Sequence, residues 1–231
     1  MNDEELLVCF GRGLIPGPQE TEEAFVQRVQ QAAALSNPEW QAVAQATLSL
    51  FGFAIDWVPL SYSSQELSPW EGAATWIGEG SLPSIQLRPA FAKGSFLGYR
   101  RSDVLAHEAV HAARMRFEEP RFEEMLAYRT SPQRWKRFLG PAFQHKWTLY
   151  LLLLTLLAGV YQPWISLLLI SLGLSVLCCR HFQLRRCLRQ FPLPMVLCMT
   201  DAEIISCTWK KEDGLRSRLL KSIRNNHELS S

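Results

Sequence analysis

The stretch from Trp147 to Cys179, WTLYLLLLTLLAGVYQPWISLLLISLGLSVLCC, runs for thirty-three residues without a charge. A small water-soluble domain rarely hides so long an apolar run, so lipid is its expected surrounding. As one straight helix it would rise roughly 50 Å, against a hydrocarbon thickness of roughly 30 Å. GVYQPW interrupts it, because Pro163 cannot continue the helical hydrogen-bond ladder. The expectation is a helical hairpin over 146–180, with arms of about 14 and 16 residues, crossing a thinned bilayer or inserted deeply into it.

Charge fixes the expected orientation. Between Met125 and Thr200 there is no Asp or Glu, yet nine of the 24 basic residues fall there, and all 22 acids lie elsewhere. Lys146 and its upstream neighbours precede the first arm, and Arg180, Arg185, Arg186 and Arg189 follow the second. Under the positive-inside rule both ends face the cytoplasm, with Tyr161 and Trp164 at the far interface. Beside an uncharged run, the arginine cluster predicts an anionic lipid surface as partner and not a nucleic acid. The acidic opening MNDEELLVCF lacks the basic start of a cleaved export signal. Six cysteines without CxxC spacing are expected as free thiols in a reducing compartment. Together these features place the chain in an inner or cytoplasmic membrane, with its acidic part on the cytoplasmic side.

Ahead of the hairpin, ETEEAFVQRVQQAAAL and PEWQAVAQATLSLFG carry helical spacing, the second with Pro38 in its first turn and Gly52 at its end. Residues 53–99 break into short apolar runs, of which SIQLRP and TWI read as strands. Ser102 is the expected N-cap of a helix from Asp103 to about Phe117, EEP ends it, and Phe122, Met125 and Leu126 begin another. Behind the hairpin, CRHFQLRRCLRQF predicts a separate cationic helix on the membrane surface. MTDAEIIS predicts a helix capped by Thr200, and SRLLKSIRNNHELSS a polar, frayed tail.

Residues 107–111 read HEAVH. On a helix, i and i+4 share a face, so His107 and His111 can aim imidazole nitrogens at one ion about 2 Å away. Glu108 falls beside that ion, free to accept a proton from water activated there. A catalytic site needs a third protein ligand, and the chain offers Glu118, Glu119, Glu123, Glu124 and, beyond the hairpin, Glu203. Glu118 and Glu119 lie too near the end of the first helix to fold back. Glu124 is favoured over Glu123 because Ala127, one turn on, lets its helix approach the alanine-lined histidine helix. Glu123 is then a hydrogen-bonding neighbour or a solvated side chain. Tyr99, Tyr128 and His145 are three candidates for stabilising an oxyanion.

HEAVHAAR followed by EEMLAY resembles the gluzincin group of zincin metallopeptidases, over about residues 102–130. The resemblance implies Zn²⁺ held by His107, His111 and Glu124, with Glu108 as general base and acid. Tyr128 stands where some gluzincins carry an acid that buttresses a histidine. HEAVHA is also similar to membrane-bound AAA proteases, but no GxxxxGK[ST] accompanies it. Asp103, Arg114, Arg116 and Glu118 make the motif helix too polar to lie in lipid, against an intramembrane protease. The expected fold class is therefore α+β, mostly helical: a minimal zincin-like domain over 1–140, the hairpin over 146–180, and a basic juxtamembrane and C-terminal helical region over 181–231. The expected activity is hydrolysis of peptide or protein substrates near the membrane, with SIQLRP or TWI pairing an extended substrate. The rival reading is an inactive membrane interaction protein that keeps a zinc-binding shell.

Overall fold

Asn2 and Thr21 sit in extended backbone ahead of acidic first turns, and each accepts a backbone N–H. The chain therefore opens with two capped helices, α1 (Asp3–Gly11) and α2 (Glu22–Ala33). The computed structural model describes residues 1–69, 71–78, 81–143, 146–209 and 214–230. A 3-10 turn at Pro38–Trp40 leads into α3 (Gln41–Phe51), which stops where Gly52 turns left-handed at φ 77°. Phe25, Phe51 and Phe53 are fully buried, and Trp57 is nearly so while donating its indole N–H to the Arg12 carbonyl.

Residues 53–99 supply the strands. β1 (Leu60–Tyr62), β2 (Ala73–Trp76) and β3 (Ser84–Leu87) form a sheet in the order β1-β3-β2, with β3 parallel to β1 and antiparallel to β2. Both expected strand segments are present, but they are not equivalent. SIQLRP supplies the central strand, whose two edges are taken, while TWI belongs to the edge strand β2. A hairpin of β4 (Ser95–Phe96) and β5 (Tyr99–Arg100) turns through Leu97 and Gly98, both at positive φ, and feeds directly into α4 (Arg101–Ala113). Ser102 is consequently not the N-cap: Arg100 holds that position in extended backbone, and the Arg101 N–H donates to the Gly94 carbonyl.

Then follow α5 (Pro120–Ala127), α6 (Arg134–Leu139), α7 (Lys146–Tyr161), α8 (Pro163–Leu188), α9 (Leu193–Leu197), α10 (Asp201–Ser206) and α11 (Leu215–Ser230). Helix takes 64% of the chain and strand 7%, so the architecture is mostly helical with a small sheet. The break expected at GVYQPW falls at Gln162, and α7 and α8 pair through a Ser166 hydroxyl on the Thr155 carbonyl. Gly159 lies against Ser166, and its missing side chain permits that approach. Leu154, Leu157, Leu168 and Leu172 stand exposed along the pair, and α8 is long and apolar enough to cross a membrane.

Two C-terminal expectations are corrected. The cationic segment is not a separate helix: α8 continues through it, since no Gly or Pro interrupts residues 174–188 and arginine is a good helix former. Its far end enters the domain, with Leu184 and Cys187 buried, His181 bonded to the Phe138 carbonyl, and Gln183 accepting from Arg121. The tail is not frayed over its apolar face either. Leu219 and Leu220 of α11 are fully buried, and Arg218 grips Asp3 at the chain's other end. Residues of α9, α10 and α11 thus share one hydrophobic core with α1–α5, and no packing boundary falls at 181.

Candidate metal centre

α4 carries two faces with different tasks. Ala106, Ala109, Ala112 and Ala113 are buried, small enough for neighbouring helices to approach, while His107 and His111 turn toward a cavity. At the end of α4, Arg114 is buried and donates to the Leu197 and Met199 carbonyls. The chain then reverses through Glu118, at φ 48°, and Pro120 opens α5. The exposed N–H groups at the start of α5 are met by Asp201, whose carboxylate accepts from Arg121 (3.0 Å) and Phe122 (3.3 Å). In return Glu119 accepts the Asp201 N–H at 2.6 Å. Neither partner in this clasp is signalled by local sequence pattern.

That reversal brings α5 back over the histidines. His107 and His111 approach to 3.1 Å through their Nε2 atoms. Glu124 lies 3.4 Å from each, Oε2 facing His107 and Oε1 facing His111. Four donors around one zinc at about 2.0–2.1 Å stand about 3.3–3.4 Å from one another, so this triangle has the size a tetrahedral ion requires. Glu123 does not join it. It takes the far side of His111, with Oε1 2.6 Å from Nδ1. A carboxylate only accepts, so in the neutral ring that a metal ligand requires Nδ1 carries the proton and Nε2 turns its lone pair toward the triangle. Of the other acids considered, Glu203 is buried and committed to Arg216 (2.7 Å) and to the Thr200 capping box. Glu119 is engaged by Asp201, and Glu118 forms the reversal.

The electrostatics follow from these contacts. Burial favours a neutral Glu124, but the two imidazoles outweigh it and hold the carboxyl well below its ordinary range. Burial alone would lower His111, yet Glu123 and Glu124 more than reverse this and raise it well above the ordinary histidine value.

Glu108 lines the same cavity and is almost fully buried. Thr75 of β2 donates its hydroxyl to Glu108 Oε2 at 2.7 Å, fixing a carboxylate that stands outside the histidine–glutamate triangle. Thr75 is a site residue that the motif alone does not indicate. Its only sequence signal is membership of the TWI strand. Tyr128 packs its ring against His107, with centroids 4.6 Å apart and planes at 71°. Burial, reinforced by the Glu124 carboxylate, pushes its phenol well above the ordinary value, so it stays protonated. Gly140 also lies against that ring: a Cβ there would come to 2.5 Å from it. Tyr99 also lines the cavity, whereas His145 lies outside the described residues.

The cavity has a volume of about 830 Å³. It is bounded by β2, the β4–β5 hairpin, α4, α5 and the segment from Tyr128 to Phe143. No family model, curated protein or solved structure matches the chain. Chemically, two imidazole nitrogens and a carboxylate oxygen converge beside a second, separately held carboxylate and a phenol. That is a donor set for a borderline cation with an open position and a proton acceptor next to it.

Proposed function

We propose that this chain is a membrane-anchored zinc metallopeptidase with a zincin-like catalytic domain. The observation that carries the reading is the triangle of 3.1, 3.4 and 3.4 Å edges formed by His107, His111 and Glu124 beside the independently fixed Glu108. A zinc ion held by those three residues supplies Lewis acidity to a water and to a peptide carbonyl. Glu108 accepts the water's proton and passes it to the departing amine nitrogen. Thr75 keeps that carboxylate aimed, and Glu123 keeps His111 in the tautomer that ligates. Tyr128, a phenol at every working pH, donates to the carbonyl oxygen as negative charge develops there.

The edge strand β2 is the substrate rail in this reading. Arg88 N–H donates to the Gly72 carbonyl one step beyond the β2–β3 register, so ladder alternation turns the backbone groups of Ala73 and Thr75 to the open edge. That edge lies along the cavity and can pair an extended peptide; β3 cannot, being paired on both sides. Anchoring follows from α8, and the orientation from the basic residues at both ends of the hairpin. Trp135, Phe138, Leu139 and Phe143 are exposed just ahead of α7, and Phe143 also lines the cavity. The site therefore opens beside the lipid surface, which favours membrane-proximal peptides.

The test uses the full-length chain in lipid nanodiscs. Wild type binds one equivalent of zinc and cleaves peptides, and chelation abolishes cleavage. Glu108→Gln keeps the zinc and loses at least about 10²-fold in rate, the scale of a missing general base. A wild-type protein that binds zinc and cleaves nothing leaves the inactive zinc-binding shell as the function; absence of zinc binding removes both.

A further inference from the structure

α6 lies between the catalytic cavity and the membrane-anchoring hairpin, and one of its residues is out of keeping with the rest. Arg134, Trp135, Phe138 and Leu139 are exposed, as a segment lying on a lipid surface requires. Lys136 is turned the other way. It is only 6% exposed, lines the cavity, and holds its ammonium 3.6 Å from the centre of the Tyr99 ring. A lysine in this position would ordinarily extend to the phosphate headgroups. Burying a cation is unfavourable unless something compensates it, and an aromatic face does so only in part.

No carboxylate among the described residues lies within ion-pair distance of Lys136. Of the acids lining the cavity, Glu108 is engaged by Thr75, Glu123 by His111 and Glu124 by both histidines, while Asp103 and Glu66 form no ion pair with Lys136. Glu71, farther along the cavity, accepts the Ser68 N–H. Lys136 thus presents to the cavity an ammonium held in place by an aromatic ring, with no carboxylate paired to it among the described residues. Tyr99, beneath that charge, and Tyr128, against His107, line the same cavity, so Lys136 and the histidine–glutamate triangle face one space.

We propose that Lys136 is the specificity-determining residue of this cavity, and that it binds a carboxylate of the substrate. The carboxylate is either an aspartate or glutamate side chain near the scissile bond or the free C-terminus of a short peptide. The proposal rests on the hydrolase reading above for its consequence in turnover, but the binding it describes does not require turnover. Ammonium and carboxylate meet as a charge-assisted hydrogen-bonded pair, which discriminates against neutral and cationic side chains.

The experiment uses the full-length chain in nanodiscs and one peptide sequence carrying Asp, Asn or Lys in turn at each position, with a free or an amidated C-terminus. Cleavage by the zinc-loaded wild type is followed by mass spectrometry. Binding of the same peptides to the metal-free Glu108→Gln variant is followed by fluorescence anisotropy. The expected result is a preference of about tenfold or more for the carboxylate-bearing member of each pair, the size of a charge-assisted contact. The position series and the amidated series show whether a side chain or a terminus supplies it. Lys136→Met collapses that ratio toward one, Lys136→Arg retains it, and Lys136→Glu turns it toward Lys. Cleavage or binding with no charge preference in wild type, or a preference that survives Lys136→Met, overturns the proposal. Charge-selective, Lys136-dependent binding without any cleavage upholds the carboxylate site and defeats the hydrolase reading, whereas cleavage without selectivity does the reverse.

Discussion

Two helix pairs follow one another in this chain and are put together by different means. α4 and α5 meet over buried alanines and face each other with polar side chains, His111 toward Glu123 and both histidines toward Glu124, while Asp201 of α10 caps the start of α5. α7 and α8 meet through Gly159 and the hydroxyl of Ser166, with leucines exposed on their outer faces. The first pair orders charge at the wall of a cavity. The second presents leucines outward, and α8 is long and apolar enough to cross a membrane. The lower part of α8 belongs to both, since Leu184 and Cys187 are core residues of the domain that holds α4 and α5.

The contrast breaks most visibly at Leu168, which is 68% exposed on α8. In lipid, Leu168→Arg costs about 2.5–3.5 kcal/mol of insertion free energy near the centre of a span. In water, an exposed substitution of this kind changes stability by no more than about 0.5 kcal/mol. The expected outcome is loss of the protein from the membrane fraction on flotation. A variant that stays soluble, monodisperse and equally stable without detergent shows that the hairpin is a water-exposed pair.

The next effect in size sharpens the other side. Glu123→Gln leaves all three donors of the triangle in place but replaces the anionic acceptor behind His111. Metal affinity is expected to fall about 10–100-fold, the usual cost of removing a group that orients a ligating histidine. Competition with a zinc chelator measures it. An unchanged affinity means that Glu123 is merely a surface acid, and that the triangle draws nothing from its surroundings.

What could be read in advance divides along the same line. The i, i+4 histidines, the neighbouring Glu108 and the small Ala127 are short-range signals, and so is the uncharged run with its proline. Each concerns residues within a turn or two of one another, where helical geometry dictates proximity. Thr75 and Asp201 reach the site from 33 residues before Glu108 and about 80 residues after Arg121, distances over which periodicity says nothing. The end of α8 was obscured for another reason. Three arginines, with Arg189 just beyond, dominate its composition and point to lipid, while the stripe of Leu177, Leu184 and Cys187 that actually places it is spread over three turns. In α11 the signal was present and outweighed: Leu215, Leu219, Leu220 and Ile223 have helical spacing within a segment that is polar on average.

Asp201 offers the smallest expected effect and the most direct connection between the two regions. It caps α5, the helix that carries Glu123 and Glu124, from a position that follows the hairpin in sequence. Removing a capping carboxylate costs about 0.5–2 kcal/mol. Here the loss falls on one short helix, because Arg121 and Phe122 lose their acceptor while Pro120 contributes no N–H of its own. Asp201→Ala is therefore expected to lower zinc affinity by roughly threefold to tenfold through fraying of α5, within the range one cap allows. Because Gln183 of α8 bonds Arg121 on the same turn, releasing the cap also loosens the hold of α8 on the domain. Hydrogen exchange separates the two possibilities. Faster exchange confined to 120–127 places the clasp at the candidate site alone, whereas faster exchange extending into 181–188 shows that α8 and α5 share it.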